Sequence, residues 1–286
     1  MTNTRVGVLG SGLMGSGIAE TAARAGFEVV LRSRSAATAD ASKVSLEKAL
    51  ARQVAKGRLT QAEADDAARR VRTTSDLADL AGCQLVIESV VEDLAAKVAL
   101  LAEVDRVVGP GVVLASNTST LPIVELAVAV SAPERVCGMH FFNPAPVMKL
   151  VEIVAPLTAS EETLATATTF ARACGKEPVR VKDRAGFVVN ALLFPYLNNA
   201  IRLLDQGVAD RDGIDEAMRG GCGFPMGPLA LLDLVGLDTS LAILQTLHAE
   251  YAEPNYAPAP LLRRLVTAGH LGRKSGRGFY AYEDRR

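Results

Sequence analysis

Arg5-Val-Gly-Val-Leu-Gly-Ser-Gly-Leu-Met-Gly-Ser-Gly17 is the stretch of sequence that decides the fold of the first part of this chain. It contains the pattern G-x-G-x-x-G, directly after a short apolar run and directly before a segment of helical period. The first glycine permits a tight turn, the second lets a pyrophosphate approach the backbone, and the third lets the helix pack close to the strand. The helix N-terminus favours the negative charge of phosphates. We therefore predict a dinucleotide site that contains Gly10, Ser11, Gly12, Leu13, Met14 and Gly15.

The composition describes a globular protein with a large core and little net charge. The chain has 286 residues, 49% of them hydrophobic, and a formal net charge of -1. This length fits one large domain or two ordinary ones, and the neutral balance argues against nucleic acid or an anionic membrane as the main partner. No apolar run reaches the roughly 20 residues of a membrane helix. Because a strand and the glycine loop begin within the first few residues, we expect no signal peptide.

The cysteines follow no metal-binding or disulfide pattern. No C-x-x-C and no nearby histidine ligand accompany them, and they stand at Cys83, Cys137, Cys174 and Cys222. Scattered cysteines of this kind are typical of reduced core residues. We therefore predict a cytoplasmic protein without a metal site.

Short β-branched runs alternate with segments of helical period in the first part of the chain. The runs are Val6–Leu9, Glu28–Leu31, Leu85–Val90, Val112–Ala115, Val136–Phe142, Leu150–Val154 and Val179–Val181. The alternation predicts βαβ units and a mostly parallel sheet with covered faces. Gly26 stands where the first helix should end. We expect an α/β, Rossmann-like doubly wound domain over residues 1–184.

One charged segment, Ala41–Arg72, has a helical period but is too long for a single crossover helix. Gly57 interrupts it, so we expect a pair of helices that projects from the sheet over residues 38–72. Arg52 and Lys56 are four residues apart and therefore share a helical face. That face either binds an anion or is a solvated surface of the hairpin.

The alternation ends after Asp183, and helical periods dominate the rest of the chain. They extend over Gly186–Gln206, Asp212–Arg219, Leu229–Glu250 and Pro260–Ala268. We predict an all-helical second domain over residues 185–286. Several of its helices are apolar on more than one stripe, which a subunit interface and packing against the first domain explain equally well.

The second strand ends at a residue that should contact the adenosine ribose of the dinucleotide. Sites for NAD usually place Asp or Glu there, but this chain has Ser33 followed by Arg34. A serine removes the charge that would repel a 2′-phosphate, and Arg34, with Arg32 or without it, can pair with that phosphate. We predict a preference for NADP(H), and NAD(H) is the alternative if both arginines point into solvent.

A histidine and a glutamate stand at equal distances from Pro146 on two successive strand signals. His140 lies near the end of Val136–Phe142, and Glu152 lies in Leu150–Val154. A hairpin around Pro146 would set the two side chains opposite each other. A carboxylate beside an imidazole fixes its tautomer and supports the imidazolium form. Although a lone histidine at such a place is usually structural, this pair predicts a general acid/base at the ligand-binding edge of the sheet.

Two other polar segments are candidates for the same edge. Ser116-Asn-Thr-Ser119 follows the strand Val112–Ala115, and Asn190 lies in the first helix of the predicted second domain. Helix capping is the alternative explanation for the first segment, and an interdomain hydrogen bond is the alternative for Asn190.

Several motifs, taken in their order along the chain, resemble the L-3-hydroxyacyl-CoA dehydrogenase family, in particular its short bacterial 3-hydroxybutyryl-CoA dehydrogenases. The motifs are Gly10-Ser-Gly-Leu-Met-Gly-Ser-Gly-Ile-Ala, Ser116-Asn-Thr-Ser, His140-Phe-Phe-Asn-Pro, Asp183-Arg-Ala-Gly-Phe-Val-Val-Asn190, Gly223-Phe-Pro-Met-Gly-Pro and Gly272-Arg-Lys-Ser-Gly-Arg-Gly-Phe-Tyr. The resemblance covers essentially the whole chain. It implies hydride transfer between a nicotinamide cofactor and C3 of a short-chain (S)-3-hydroxyacyl-CoA.

The resemblance also implies roles for individual residues. His140 would be the general acid/base and Glu152 would orient it. Ser119 and Asn190 would hydrogen-bond the reacting oxygen or the thioester carbonyl of the acyl-CoA.

Further roles concern the cofactor, the CoA moiety and assembly. The residues implied to lie near the nicotinamide half or in the same cleft are Glu92, Lys97, Asn117 and Asn143. Arg52 and Lys56 fall where related enzymes place lysines against the CoA phosphates. The helical domain would form a homodimer contact, as it usually does in the family. Ser33 departs from the family, in which many members carry Asp, and it puts NAD specificity in doubt.

Two alternatives to this function stay open. One is a related dehydrogenase for an acyl-carrier-protein-bound or free 3-hydroxy acid. The other is a dinucleotide-binding protein without catalysis, which the intact set of His140, Glu152, Ser119 and Asn190 disfavours.

Overall fold

A single sheet organises the N-terminal part of the computed structural model, which describes residues 4–282. Its strands are β1 Arg5–Leu9, β2 Glu28–Arg32, β3 Val71–Thr74, β4 Leu85–Glu88, β5 Val113–Ser116, β6 Val136–Phe141, β7 Leu150–Ala155 and β8 Glu177–Lys182. They lie in the order β3-β2-β1-β4-β5-β6-β7-β8. The strands from β3 to β6 are mutually parallel, whereas β7 runs antiparallel to β6 and β8 runs parallel to β7. The mostly parallel, doubly wound sheet predicted from the sequence is confirmed.

Eleven α-helices complete the described part of the chain. They are α1 Leu13–Arg24, α2 Ala36–Ala55, α3 Gln61–Arg70, α4 Leu94–Asp105, α5 Ile123–Ala127, α6 Glu161–Ala173, α7 Val189–Asp205, α8 Arg211–Cys222, α9 Pro228–Val235, α10 Leu237–Tyr251 and α11 Pro260–Thr267. The molecule divides into two compact units between Arg184 and Ala185. The first unit holds the sheet and α1 to α6, and the second unit is helical.

The central strands are covered on both faces. Every residue of β4, β5 and β6 is buried, which is why these strands read as continuous apolar runs rather than as alternating ones. Because parallel strands point their carboxyl ends toward one edge of a sheet, the loops after β1, β4, β5 and β6 gather there. This edge carries most of the candidate site residues.

The segment before β4 differs from the prediction in two respects. The helical hairpin is present, with Gly57 in the left-handed region at φ +65° between α2 and α3, but α2 already begins at Ala36, where Ser35 forms a capping box with Thr38. Val71 and Arg72, the last two residues assigned to the hairpin, form the edge strand β3 instead, together with Thr73 and Thr74. This strand has four residues, and because only Val71 is fully buried it has no clear strand pattern.

The helical unit also differs from the prediction, because one predicted helix is divided in two. The sequence predicts one helix over Leu229–Glu250, whereas the structure has α9 and α10, which meet at 97°. Gly236 lies between them with φ +102°, a conformation that other residues adopt only under strain. The helical period continues through this glycine, so periodicity alone could not reveal the bend. Within residues 4–282 no single helix is long and apolar enough to cross a membrane, although α9 and α10 together meet that criterion as a bent pair.

A buried carboxylate holds the last described residues onto the helical unit. Asp233 is only 1% exposed, and its oxygens accept hydrogen bonds from Phe279 N at 2.9 Å and Tyr280 N at 2.8 Å. Tyr282 Oη donates to it at 3.0 Å. Gly278 lies so close that a Cβ there would stand 1.9 Å from Asp233 Oδ1. The glycines of the C-terminal motif therefore have a packing role.

We expect Gly278→Ala to lower the free energy of unfolding by about 1–3 kcal/mol, because the added methyl group has no room. Gly220→Ala in α8 is the matched control, since a Cβ there meets no atom within 4 Å. Alanine in a helix interior should raise stability at this position by about 0.5–1 kcal/mol. Urea denaturation of both variants measures the difference, and equal midpoints would contradict the packing role.

Candidate functional site

The strand pair β6–β7 brings together the two residues predicted as an acid–base couple. His140 and Glu152 are register partners in the antiparallel ladder, so the predicted hairpin geometry is confirmed. His140 Nδ1 lies 2.7 Å from Glu152 Oε2, and the two residues are 6% and 1% exposed. A carboxylate at this distance favours the tautomer with the proton on Nδ1. The pair has the chemistry of a proton donor and acceptor.

The loop after β5 is tied directly to the strand that carries the histidine. Asn117 Oδ1 accepts a hydrogen bond from Phe141 N at 2.8 Å, and Asn117 Nδ2 donates to Ser89 Oγ at 3.3 Å. One amide side chain thus links the carboxyl ends of β4, β5 and β6. Asn117 therefore holds the ends of these three strands in fixed relative positions.

Glu92, predicted near the cofactor, holds the same loop from the other side. Its Oε1 accepts hydrogen bonds from Thr118 Oγ1 at 2.5 Å and from Ser119 N at 3.0 Å. Burial pushes the pKa of Glu92 upward, but the Lys97 ammonium and the hydrogen bonds from Thr118 and Ser119 outweigh it and hold the pKa below its usual range. The side chain is therefore ionised at neutral pH, with 40% of its surface exposed.

Lys97 lies beneath this loop rather than on the surface of the site. Its side chain is 1% exposed, and Nζ stands 2.7 Å from Glu88 Oε1 and 3.4 Å from Glu92 Oε2. Glu88 is completely buried and was missed by the sequence analysis. The only signal for it is a charged residue that ends an otherwise apolar strand, Leu85-Val-Ile-Glu88.

The glycine loop has the shape that a dinucleotide requires. A Cβ on Gly15 would stand 1.8 Å from Gly10 O, so only glycine lets α1 pack this closely. A Cβ on Gly12 would meet nothing within 4 Å, which leaves open space beside the backbone. No side chain caps the N-terminus of α1, and no acidic residue lies in its first turn. A pyrophosphate therefore fits against this helix end, where the peptide dipoles favour negative charge.

The residue that follows the second strand beside the glycine loop is a serine and not a carboxylate. Ser33 is 2% exposed, and its Oγ donates to Ser11 Oγ at 2.7 Å. Arg34 is exposed, whereas Arg32 Nε donates to Ser75 O at 3.3 Å. The structure thus makes Arg34, and not Arg32, the accessible cation next to Ser33. Of the other predicted loop residues, Leu13 is 74% exposed and Met14 is half-buried.

The remaining candidates occupy separate places. Arg52 and Lys56 are both exposed at the C-terminal end of α2. Asn143 is exposed after β6. Asn190 is 7% exposed in the first turn of α7, within the helical unit. Among residues 4–282, no group of three His, Cys, Asp or Glu side chains is suited to a metal ion.

Comparison with known proteins gives one consistent family. Residues 5–184 match the family model for the 3-hydroxyacyl-CoA dehydrogenase NAD binding domain, and residues 186–282 match the model for the 3-hydroxyacyl-CoA dehydrogenase C-terminal domain. A 3-hydroxybutyryl-CoA dehydrogenase of Mycobacterium tuberculosis is 52% identical over 280 residues, which cover 97% of this chain and 98% of that protein.

Two solved structures are similar over nearly the full length. FadB2 of Mycobacterium tuberculosis has a TM-score of 0.96 at 51% identity, with 99% of this chain and 100% of that chain covered. The (S)-3-hydroxybutyryl-CoA dehydrogenase PaaH1 of Ralstonia eutropha also has a TM-score of 0.96, at 42% identity and the same coverage of both chains.

Proposed function

The chain belongs to the 3-hydroxyacyl-CoA dehydrogenase family, and from this premise we propose that it transfers a hydride between a nicotinamide cofactor and C3 of a short-chain (S)-3-hydroxyacyl-CoA. The relatives named as 3-hydroxybutyryl-CoA dehydrogenases support a short acyl chain. The observation that carries the proposal is the buried contact of 2.7 Å between His140 Nδ1 and Glu152 Oε2. Alcohol–ketone interconversion needs such a proton donor and acceptor.

His140 is the general acid/base of this proposal. Because Nδ1 donates to Glu152, Nε2 is the ring atom that exchanges a proton with the substrate. When bound, the nicotinamide supplies the hydride in reduction and accepts it in oxidation. In reduction, imidazolium at His140 gives its proton to the oxygen at C3 as the carbonyl becomes an alcohol. In oxidation, neutral His140 takes the hydroxyl proton, and the Glu152 carboxylate stabilises the resulting positive charge.

The loop after β5 is proposed to position the substrate. Ser119 would hydrogen-bond the oxygen at C3 or the thioester carbonyl, and the Glu92 carboxylate fixes its backbone by accepting from Ser119 N. Asn190 would hydrogen-bond one of the same two substrate oxygens. Asn117 and Asn143, at the ends of the neighbouring strands, would line the cofactor side.

A nicotinamide cofactor follows from the family, and within it we infer a preference for NADP(H). An acidic residue at the end of β2 would repel a 2′-phosphate, and the buried Ser33 hydroxyl does not. The exposed guanidinium of Arg34, next to Ser33 in the chain, offers a bidentate partner for that phosphate. NAD is the cofactor named for the family's nucleotide-binding domain, so a preference for NADP(H) would be a departure from that description.

Arg52 and Lys56 are proposed to pair with the phosphates of the CoA moiety. Both side chains are exposed and lie on one face at the end of α2. Cations at a helix C-terminus also interact favourably with the helix dipole, so a stabilising role without substrate contact is the alternative. If Arg52 and Lys56 bind the CoA phosphates, the substrate is a CoA thioester rather than an acyl-carrier-protein thioester or a free acid.

A homodimer through the helical unit and a cytoplasmic location stay predictions. The exposed apolar side chains of this unit support the first, among them Leu192 at 72%, Val208 at 65% and Leu203 at 42% exposure. Apolar surface of this kind is typical of subunit contacts. The scattered cysteines support the second prediction.

We expect His140→Gln to lower kcat by about 10²–10⁴-fold, because the variant loses the proton-exchanging group. Cofactor affinity should be largely kept. The absorbance of the reduced nicotinamide with acetoacetyl-CoA as substrate measures the rate. His248→Gln, at an exposed position of α10, is the control and should retain wild-type kcat. Near-full activity of His140→Gln would remove His140 from the mechanism.

Ser33→Asp should shift the ratio of kcat/KM for NADPH over NADH toward NADH by at least about tenfold. The reason is that the new carboxylate repels a 2′-phosphate and accepts from the ribose hydroxyls. Ser45→Asp, an exposed position on α2, adds the same charge elsewhere and should leave the ratio unchanged. A ratio that does not move in Ser33→Asp would refute the predicted preference.

Arg52→Ala combined with Lys56→Ala should raise KM for acetoacetyl-CoA by about tenfold or more, since charge-assisted hydrogen bonds to the phosphates are lost. KM for a truncated acetoacetyl thioester without phosphates should not change. Arg106→Ala removes an exposed cation from the C-cap of α4 in the same way and serves as the control. Equal effects on the long and the truncated thioester would argue against CoA contact.

A further inference from the structure

The fully buried carboxylate of Glu88 has no part in the proposed proton transfer, yet it accepts hydrogen bonds from three different residues at this edge of the sheet. It ends β4 with 0% exposure. Oε1 accepts from Val90 N at 2.6 Å and from Lys97 Nζ at 2.7 Å. Oε2 accepts from Ser116 Oγ at 2.6 Å. Because no surface of Glu88 is accessible, it cannot touch cofactor or substrate, and any influence on the reaction must pass through these partners.

One partner leads to the glycine loop. The bond to Val90 N fixes the segment Ser89–Val90, which packs against Gly10. A Cβ on Gly10 would stand 2.4 Å from Ser89 O and 3.1 Å from Val90 N. Ser89 N also donates to Leu9 O at 2.7 Å, so a displacement of Ser89 is passed on to Leu9 and to the neighbouring Gly10. The Glu88 carboxylate therefore sets the position of the first glycine of the cofactor loop.

The second partner leads to the loop that carries Ser119. Ser116 Oγ donates to Glu88 and accepts from Thr118 N at 3.2 Å. This arrangement fixes the backbone of the loop just before Ser119. Glu88 is thus hydrogen-bonded to residues at the carboxyl ends of both β4 and β5.

The third partner, Lys97, reaches the same loop through a second carboxylate. Its ammonium stands between Glu88 and Glu92 at 2.7 and 3.4 Å. Glu92 in turn accepts from Thr118 Oγ1 and Ser119 N. Two routes, one through Ser116 and one through Lys97 and Glu92, therefore join Glu88 to residue 119.

A buried ion pair is a costly way to achieve mere stability. Desolvation of the two charges offsets most of their attraction, and apolar residues of similar volume often stabilise a core as well or better. What charged hydrogen bonds add is direction, since each partner of Glu88 must lie at a fixed angle and distance. The cluster thus favours one arrangement of the two loops over others of similar compactness.

We propose that Glu88 is a positioning residue that couples the glycine loop to the Ser119 loop, so that cofactor and substrate meet in one fixed geometry. The inference rests on the proposed function, because it assumes that the first loop holds the dinucleotide and the second contacts the thioester. The proposal predicts different effects for the loss of the Glu88 charge and the loss of the Ser116 hydroxyl. Loss of the Glu88 charge disturbs both loops, whereas loss of the Ser116 hydroxyl disturbs only the second.

The experiment compares Glu88→Gln, Ser116→Ala and a control, Asp105→Asn, in the full-length protein. Asp105 forms another buried ion pair of the first unit, with Arg135, at side-chain exposures of 12% and 6%. Its hydrogen-bond partners are Ser131 and Arg135, and it contacts neither loop. For each variant, cofactor Kd is measured by titration without thioester, kcat and KM are measured with acetoacetyl-CoA, and thermal unfolding sets a temperature at which all three are folded.

For Glu88→Gln we expect cofactor Kd to rise roughly 2- to 30-fold and kcat to fall about 10- to 100-fold, as a small misplacement of reacting groups produces. Ser116→Ala should lose kcat with cofactor Kd within about twofold of the wild type. Asp105→Asn should lose stability while its Kd and kcat stay within about twofold. This pattern supports the coupling.

Three results would overturn it: wild-type Kd and kcat in folded Glu88→Gln, wild-type kcat in Ser116→Ala, or equal kinetic losses in Asp105→Asn. If Glu88→Gln does not fold, Glu88→Asp takes its place in the same measurements, because it keeps the charge but withdraws the carboxylate from Val90 N and Ser116 Oγ. Wild-type Kd and kcat in that variant would equally overturn the coupling. If the wild type binds cofactor but does not turn over acetoacetyl-CoA, the proposed function fails, and the cofactor Kd of Glu88→Gln still decides the link to the glycine loop.

Discussion

The buried hydrogen bond between His140 and Glu152 depends on one change of strand direction, and the proposed proton transfer depends on that bond. In a sheet that is parallel as far as β6, the antiparallel β7 returns immediately beside its predecessor. A side chain on β6 can therefore face a side chain only 12 positions later in the chain. A parallel connection would have needed a crossover helix and would have separated the two residues in sequence. The pair is consequently local in the chain and at the same time buried, at 6% and 1% exposure.

The same edge of the sheet gathers polar groups that come from distant parts of the sequence. Asn117 bonds Phe141 N and Ser89, and Glu92 bonds the loop at Ser119. These contacts follow from the common direction of β1, β4, β5 and β6, which places each strand end next to the others. The site is therefore a row of short loops whose spacing is fixed by the ladder of the sheet. Side-chain hydrogen bonds between the loops then set their finer positions.

Carboxylates that accept from backbone N–H groups perform much of this fixing throughout the molecule. Asp183 accepts from Ile123 N and Val124 N at the start of α5, and Asp215 accepts from Leu229 N and Ala230 N at the start of α9. Asp233 holds the C-terminal stretch in the same manner. In each case a negative charge is stabilised by backbone N–H groups that would otherwise lack partners. Glu88 differs because it accepts from one backbone N–H group, one hydroxyl and one ammonium.

The sequence by itself determined the fold class, the glycine loop and the His140–Glu152 pair, because each rests on spacing along a single strand, turn or hairpin. The sequence did not reveal strand β3, because a four-residue edge strand has almost no pattern. It did not reveal the bend at Gly236 either, because the helical period continues unchanged through this glycine. Only the tertiary structure decided that Ser33 bonds Ser11, that Lys97 is buried, and that Glu88 accepts from both Val90 N and Ser116 Oγ. These contacts connect residues on separate strands, where sequence spacing carries no information about distance. The register of the sheet supplies that information, and it exists only after folding.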